Sequence, residues 1–161
     1  NTLDKINDHY LQINSDYIGC VDDTCLATGE LLPVKDTPFD FNKRKRIGQD
    51  LEADHIQLKN AFGYDHSFVL NDTENQLTLE EPVSGRRLVI STTAPVVQVY
   101  TGNFLKDGCI GKAGRVYENR EGVALETQLM PNAINTEENP STILRKGDKF
   151  ESNTKYVFEI M

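Results

Sequence analysis

Residues 64–70 read YDHSFVL, and their alternation decides the fold: Tyr64, His66, Phe68 and Leu70 fall on every second position, with Asp65 turned the other way. A period of two is that of a β-strand with one face on a core. The same alternation returns in DHYLQIN (8–14), where His9, Leu11 and Ile13 share a face. RRLVIST (86–92), VVQVYT (96–101), GVALETQ (122–128) and KYVFEIM (155–161) are four further candidate strands, separated by the turn-forming stretches EPVSGR, TGN and RKGD. Short alternating runs with such breakers predict antiparallel sheets and an all-β class. Six tyrosines and seven phenylalanines supply the bulk that sheet packing favours.

One segment departs from the pattern. IGQDLEADHIQLKN spaces Ile47, Leu51, His55 and Leu58 at three- and four-residue intervals, which predicts a short helix over 48–59 decorating the sheets. LLPVKDTPFDF (31–41) and MPNAINTEENPS (130–141), marked by proline, read as ordered surface loops. With 161 residues, 38% of them hydrophobic, and no repeat, low-complexity tract or linker, the expectation is one domain over 1–161, or a piece of one. The first residue is Asn, and the opening NTLDKIND is polar, so a longer gene product is expected upstream.

Charge excludes some partners. Seventeen basic against twenty-five acidic side chains leave a net charge of −8, which repels phosphate backbones and anionic lipid surfaces, so neither nucleic acid nor membrane is expected as a partner. The basic run Lys43-Arg44-Lys45-Arg46 reads as a solvated loop face with no assigned role. Cys20, Cys25 and Cys109 contain no CxxC pair, so neither a disulfide framework nor a zinc knuckle is indicated, and a reducing cytoplasm fits best. No stretch reaches the ~18 apolar residues of a membrane span, and no signal peptide is legible.

Chemistry has few carriers. Alternation sets Val123, Leu125 and Thr127 on one face of their strand and Ala124, Glu126 and Gln128 on the other. If that second face lines a cleft, Glu126 is a partly desolvated proton acceptor; if it faces solvent, it is an ordinary strand glutamate. Asp65, and Gln98 between valines, each need a partner, and an internal hydrogen bond would suffice for either. His66 adjoins Asp65 in sequence, but strand neighbours point to opposite faces and form no relay. His9 and His55 read as partly buried structural residues. The sequence holds no serine elbow, P-loop, GxGxxG or HExxH, so no cofactor or metal is expected.

Taken in order, DHYLQIN, ATGELLPVKDTPFDF, GYDHSFVL, SGRRLVISTTAPVVQVYTGNFL, REGVALETQLMPNAIN and STILRKGDKFESNTKYVFEI resemble the C-terminal half to two-thirds of the galactose mutarotase (aldose 1-epimerase) family, over nearly the whole chain. That resemblance implies a large antiparallel β-sandwich with a sugar cleft on one sheet face. It implies that Glu126, in E-T-Q, is the general base. It implies that Asp65, in G-Y-D-H, binds a sugar hydroxyl, and that Gln98, before Y-T-G-N-F, lies in the same cleft. The activity it implies is interconversion of the α and β anomers of hexoses such as galactose and glucose, without cofactor or metal. The family's general acid is a histidine in N-H-x-Y-F-N-L, a motif this sequence lacks and that none of His9, His55 and His66 matches. Two expectations follow: the sequence is the later portion of a longer enzyme, or it is a truncated sugar-binding or regulatory module. A third reading, a glycosidase with Asp65 and Glu126 as its carboxylate pair, ranks below these. Missing strands would leave unpaired edges, so association with a complementary N-terminal fragment or with a second copy is expected.

Overall fold

The computed structural model describes residues 5–72, 74–106, 110–112, 114–136 and 142–161. Ten strands run in chain order: β1 (Tyr10–Ile13), β2 (Ser15–Val21), β3 (Ala27–Pro33), β4 (Lys45–Arg46), β5 (Asp65–Leu70), β6 (Leu77–Glu81), β7 (Arg86–Thr92), β8 (Val96–Tyr100), β9 (Ala124–Gln128) and β10 (Thr154–Ile160). They form two five-stranded sheets, ordered β10-β7-β6-β1-β4 and β3-β2-β5-β8-β9. Every pairing between named strands is antiparallel.

One core cluster draws on both sheets: Leu11, Ile13, Leu77 and Ile90 from the first, Ile18, Phe68, Val97 and Val99 from the second. Two sheets that share one apolar interior make a sandwich, the all-β class the alternation implied. The parity of YDHSFVL holds, with Tyr64, His66 and Phe68 buried in the interior and Leu70 half-buried against it.

Several expectations are corrected. The helix over 48–59 is instead a 3-10 turn (Ile47–Gln49), a run of turns, and a five-residue helix α1 (Ile56–Asn60). Ile47, Leu51 and Leu58 do reach the core, as their spacing required, but from separate turns. The break has a local cause: His55 is extended at the N-cap, where its Nδ1 accepts from Gln57 N at 3.2 Å, and Asp50 is held by Lys45 Nζ at 2.7 Å.

Residues 31–41 are not a surface loop. Leu31–Pro33 end β3, while Val34, Phe39 and Phe41 are buried. Phe39 and Phe41 meet Tyr64 edge to face at 5.4 and 5.3 Å between ring centres. Thr37 replaces the missing ladder, its Oγ1 donating to Val34 O and accepting from Phe39 N. Of residues 130–141, Met130 and Ala133 are buried against Val96 and Val69, and 137–141 lie outside the described residues, as does Cys109.

The basic run is solvent-exposed at Lys43, Arg44 and Arg46, as expected, but it is not all loop and three of its side chains are partnered. Lys45 and Arg46 form β4; Arg44 pairs with Glu80 at 2.5 Å and stacks on Tyr10, Lys45 holds Asp50, and Arg46 holds Asp8 at 3.1 Å. β2, β3 and β6 escape the sequence reading altogether. β10 forms where expected, yet stands at the sheet edge with Tyr156, Phe158 and Ile160 exposed. Tyr156 lies opposite Ile90 and Phe158 opposite Leu88. These aromatics therefore point to the interior side of their sheet, beyond the span that the other sheet covers.

Candidate functional site

The outer face of the second sheet carries the polar residues that strand parity isolates. On β8, Val97 and Val99 enter the core, which turns Val96, Gln98 and Tyr100 outward. Register then aligns neighbours: Ser67 of β5 lies opposite Gln98, and Gln98 opposite Glu126 of β9, while Asp65 lies opposite Tyr100. Directly opposed residues have Cβ atoms about 5 Å apart, so Gln98 and Glu126 are side-by-side neighbours. Asp65, Gln98, Tyr100, Phe104, Glu126 and Gln128 line one open cavity of about 390 Å³. A small recess of about 70 Å³ adjoins it, sharing Asp65 and Gln98 and walled by Gly19, Cys25, Ser67 and Met130.

Hydrogen bonds tie this group together. Ser67 Oγ donates to Gln98 Oε1 at 2.5 Å, and Gln98 Nε2 donates to Asp65 Oδ1 at 2.7 Å. Burial pushes the Asp65 carboxyl above its usual range, and the Gln98 donor partly opposes that shift by favouring the charged form. Glu126 is exposed within the cavity, so its setting is the wetter of the two weighed from sequence.

A buried layer fixes the site from beneath. His66 Nδ1 accepts from Asp65 N at 3.1 Å, which makes Nε2 the protonated nitrogen, and Nε2 lies 3.2 Å from Gln57 Oε1. Burial, with His55 nearby, lowers the His66 pKa to about 3 and keeps the ring neutral. His66 therefore holds the Asp65 backbone and makes no relay with its carboxylate. His9 is half-buried beside β1 and His55 caps α1, both apart from the cavity.

The loop after β8 completes the wall. Asn103 Nδ2 donates to Ala61 O at 2.6 Å, Phe104 N donates to the Tyr100 hydroxyl at 3.0 Å, and Arg120 Nη1 reaches Thr101 Oγ1 at 3.2 Å. Gly102 makes the turn at φ 65°, where a Cβ would stand 2.8 Å from Gly122 O. A larger cavity of about 600 Å³ lies beyond Phe62, but its cations are spent internally, Lys59 on Asp54 and Arg120 on Phe62 O. Among the described residues no group of three or more His, Cys, Asp and Glu converges as a metal site.

The structure thus brings together Asp65, Gln98 and Glu126. Sequence reasoning missed Ser67, Tyr100, Phe104 and Gln128. Parity was signal enough for Tyr100, two positions beyond Gln98, and for Gln128, two beyond Glu126; Phe104 depends on a turn whose path the sequence does not dictate.

The aldose 1-epimerase family profile matches residues 1–157. The chain belongs to that family. It is 38% identical over 159 residues to human galactose mutarotase, covering 97% of this chain and 45% of that protein. It is 34% identical to the aldose 1-epimerase of Haemophilus influenzae, over 96% of this chain and 46% of the other. The crystal structure of an aldose epimerase homologue from C. elegans superposes with a TM-score of 0.86 at 30% identity, over 97% of this chain and 47% of that one. The chain spans about half the length of the curated relatives it matches.

Proposed function

We propose that the protein carrying this chain is an aldose 1-epimerase that interconverts the anomers of hexoses such as galactose and glucose, an isomerase needing neither metal nor cofactor. The observation that carries this reading is the register of β5, β8 and β9, which gathers Asp65, Gln98 and Glu126 at one open cavity. Anomer exchange removes the proton from the C1 hydroxyl while the ring oxygen gains one; the ring opens, the C1–C2 bond rotates, and the ring closes on the other face. Glu126, the carboxylate exposed in the cavity, is the base in this reading. Asp65 and Gln98 bind sugar hydroxyls and hold the pyranose so that O1 meets Glu126. The resemblance implies a histidine as the acid, and in this reading none of the three here supplies it, because His9 and His55 stand apart from the cavity and His66 is buried beneath it.

The chain is, in the same reading, the C-terminal portion of one sandwich domain, and its exposed β10 aromatics receive the rest of that domain or a second copy. Cytoplasmic location is proposed on the free thiols Cys20 and Cys25; no helix among the described residues is long and apolar enough to cross a membrane.

Polarimetry of freshly dissolved α-D-galactose tests the activity. The full-length gene product should accelerate the rotation change, and its Glu126→Gln variant should lose 10²-fold or more, on the order of a missing general base. A silent full-length protein, or an active Glu126→Gln variant, refutes the assignment.

A further inference from the structure

We infer that Ser67 is a positioning residue, which holds the Gln98 amide in the orientation that Asp65 selects, so that this part of the site offers a sugar a donor beside an acceptor. The inference rests on the reading of Asp65 and Gln98 as sugar-binding groups.

A glutamine amide is nearly symmetric in shape, and only its hydrogen-bond partners decide which end is oxygen and which is nitrogen. Gln98 has one partner at each end. Ser67 Oγ donates to Oε1 at 2.5 Å, and Nε2 donates to Asp65 Oδ1 at 2.7 Å. One of the two lone pairs of the amide oxygen is thereby occupied. What stays without a partner among the described residues is the second N–H of Gln98 and the second oxygen of Asp65. A single sugar hydroxyl can accept from that N–H and donate to that carboxylate oxygen.

The three groups also form a directed chain. A donor on Oε1 polarises the amide and strengthens its N–H bonds, and the chain ends on a carboxylate that favours this direction. The ionised Asp65 can only accept, so it selects which end of the amide is nitrogen, and the Ser67 hydroxyl holds the other end. Ser67 is well placed for this, being only 4% exposed on the middle of β5, with Gly19 beside it. A Cβ at Gly19 would lie 3.8 Å from Ser67 Cβ and 3.2 Å from Met130 Sδ, so the glycine leaves room for one more methyl at Ser67.

The test uses the full-length gene product, with KM and kcat for galactose mutarotation and the side-chain amide exchange of Gln98 followed by NMR, its signals identified by their loss in Gln98→Ala. Ser67→Ala is expected to raise KM about fivefold, the worth of one neutral hydrogen bond, with kcat within about twofold. Ser67→Thr, which retains a hydroxyl, is expected to bring KM back to within about twofold of wild type. Ser67→Ala/Gln98→Ala should match Gln98→Ala alone, because Ser67 acts only through the amide. Faster exchange of the Gln98 amide protons in Ser67→Ala, but not in Ser67→Thr, completes the expected result. Additive KM effects in the double variant, or Gln98 amide exchange unchanged in Ser67→Ala, overturn the inference. Should the wild-type protein fail to turn over galactose, the epimerase reading falls, while the amide exchange still decides for or against the role of Ser67.

Discussion

Replacing Gln57 by leucine should destabilise the protein far more than its place in the first turn of a five-residue helix implies. Gln57 is buried, and its Oε1 accepts from Val21 N at 2.7 Å and from His66 Nε2 at 3.2 Å. It stands in for a ladder partner at Val21, beyond Ile18 and Phe68, the last pair of β2 with β5. Leucine fills the volume but leaves both donors buried without an acceptor, at about 1–3 kcal/mol each. Val21 O does not add to the cost, since Asn60 Nδ2 still donates to it at 2.8 Å. Allowing for relaxation and for the amide no longer buried, the expected loss is about 3 kcal/mol, against a typical total of about 5–15. Urea unfolding of the full-length product, followed by far-ultraviolet circular dichroism, measures it. Asn60→Ala is the internal comparison: it removes one donor from a carbonyl that keeps another, and should cost about 1 kcal/mol or less. A Gln57→Leu loss below about 1 kcal/mol, or one no larger than that of Asn60→Ala, would refute the reasoning.

Two further outcomes follow from features at opposite ends of the sandwich. His66 is neutral when folded, with a pKa of about 3, whereas an unfolded histidine gains its proton near 6.5. Its stabilising contribution is thus complete above pH 6.5 and falls as pH drops from there toward 3, by up to about 1.4 kcal/mol per pH unit. Unfolding free energies at pH 7, 6 and 5 should decline less steeply in His66→Gln, and parallel slopes would contradict the assignment. The 161-residue chain on its own should self-associate through β10, where Phe158 is 78% exposed and Ile160 77%. Sedimentation velocity should show species larger than monomer that Phe158→Asp disperses; a wild-type monomer sinks the idea.

Strand parity carried most of what was legible. On β5 and β9 alternation turned Asp65 and Glu126 away from the apolar side, whereas Gln98 sat in a run that read as largely buried, and its register between Ser67 and Glu126 shows it facing outward. β2 hid because its register shifts twice, between Ser15 and Tyr17 and between Gly19 and Val21, and each shift breaks the period of two. β3 hid because it is an edge strand with exposed Thr28, Glu30 and Leu31 on both faces. Phe39 and Phe41 looked like loop residues beside prolines, and only the aromatic space around Tyr64 shows why they turn inward. Ile47, Leu51 and Leu58 were read rightly as buried and wrongly as one helix. Periodicity reports which residues face the core, and it does not report whether the backbone between them is continuous. Within the site, Ser67 has the same parity as Asp65, yet a small hydroxyl on a strand gives no signal until its partner across the sheet is known.

The pairing of β10 with β7 has a kinetic consequence. Thr92 and Thr154 meet although 62 positions apart, and β10 contributes all seven of its residues to that one ladder. β6 and β7, by contrast, are joined by a short turn and can zip as a hairpin. Closing so long a loop costs entropy before any of its contacts form. Until it closes, β7 presents its full length as a bare edge, and the interior beside Leu88 and Ile90 is wet. The joining of β10, like that of β1 to β6, is therefore a slow step for the first sheet, and before it the bare edge of β7 is exposed to pairing with the wrong strand.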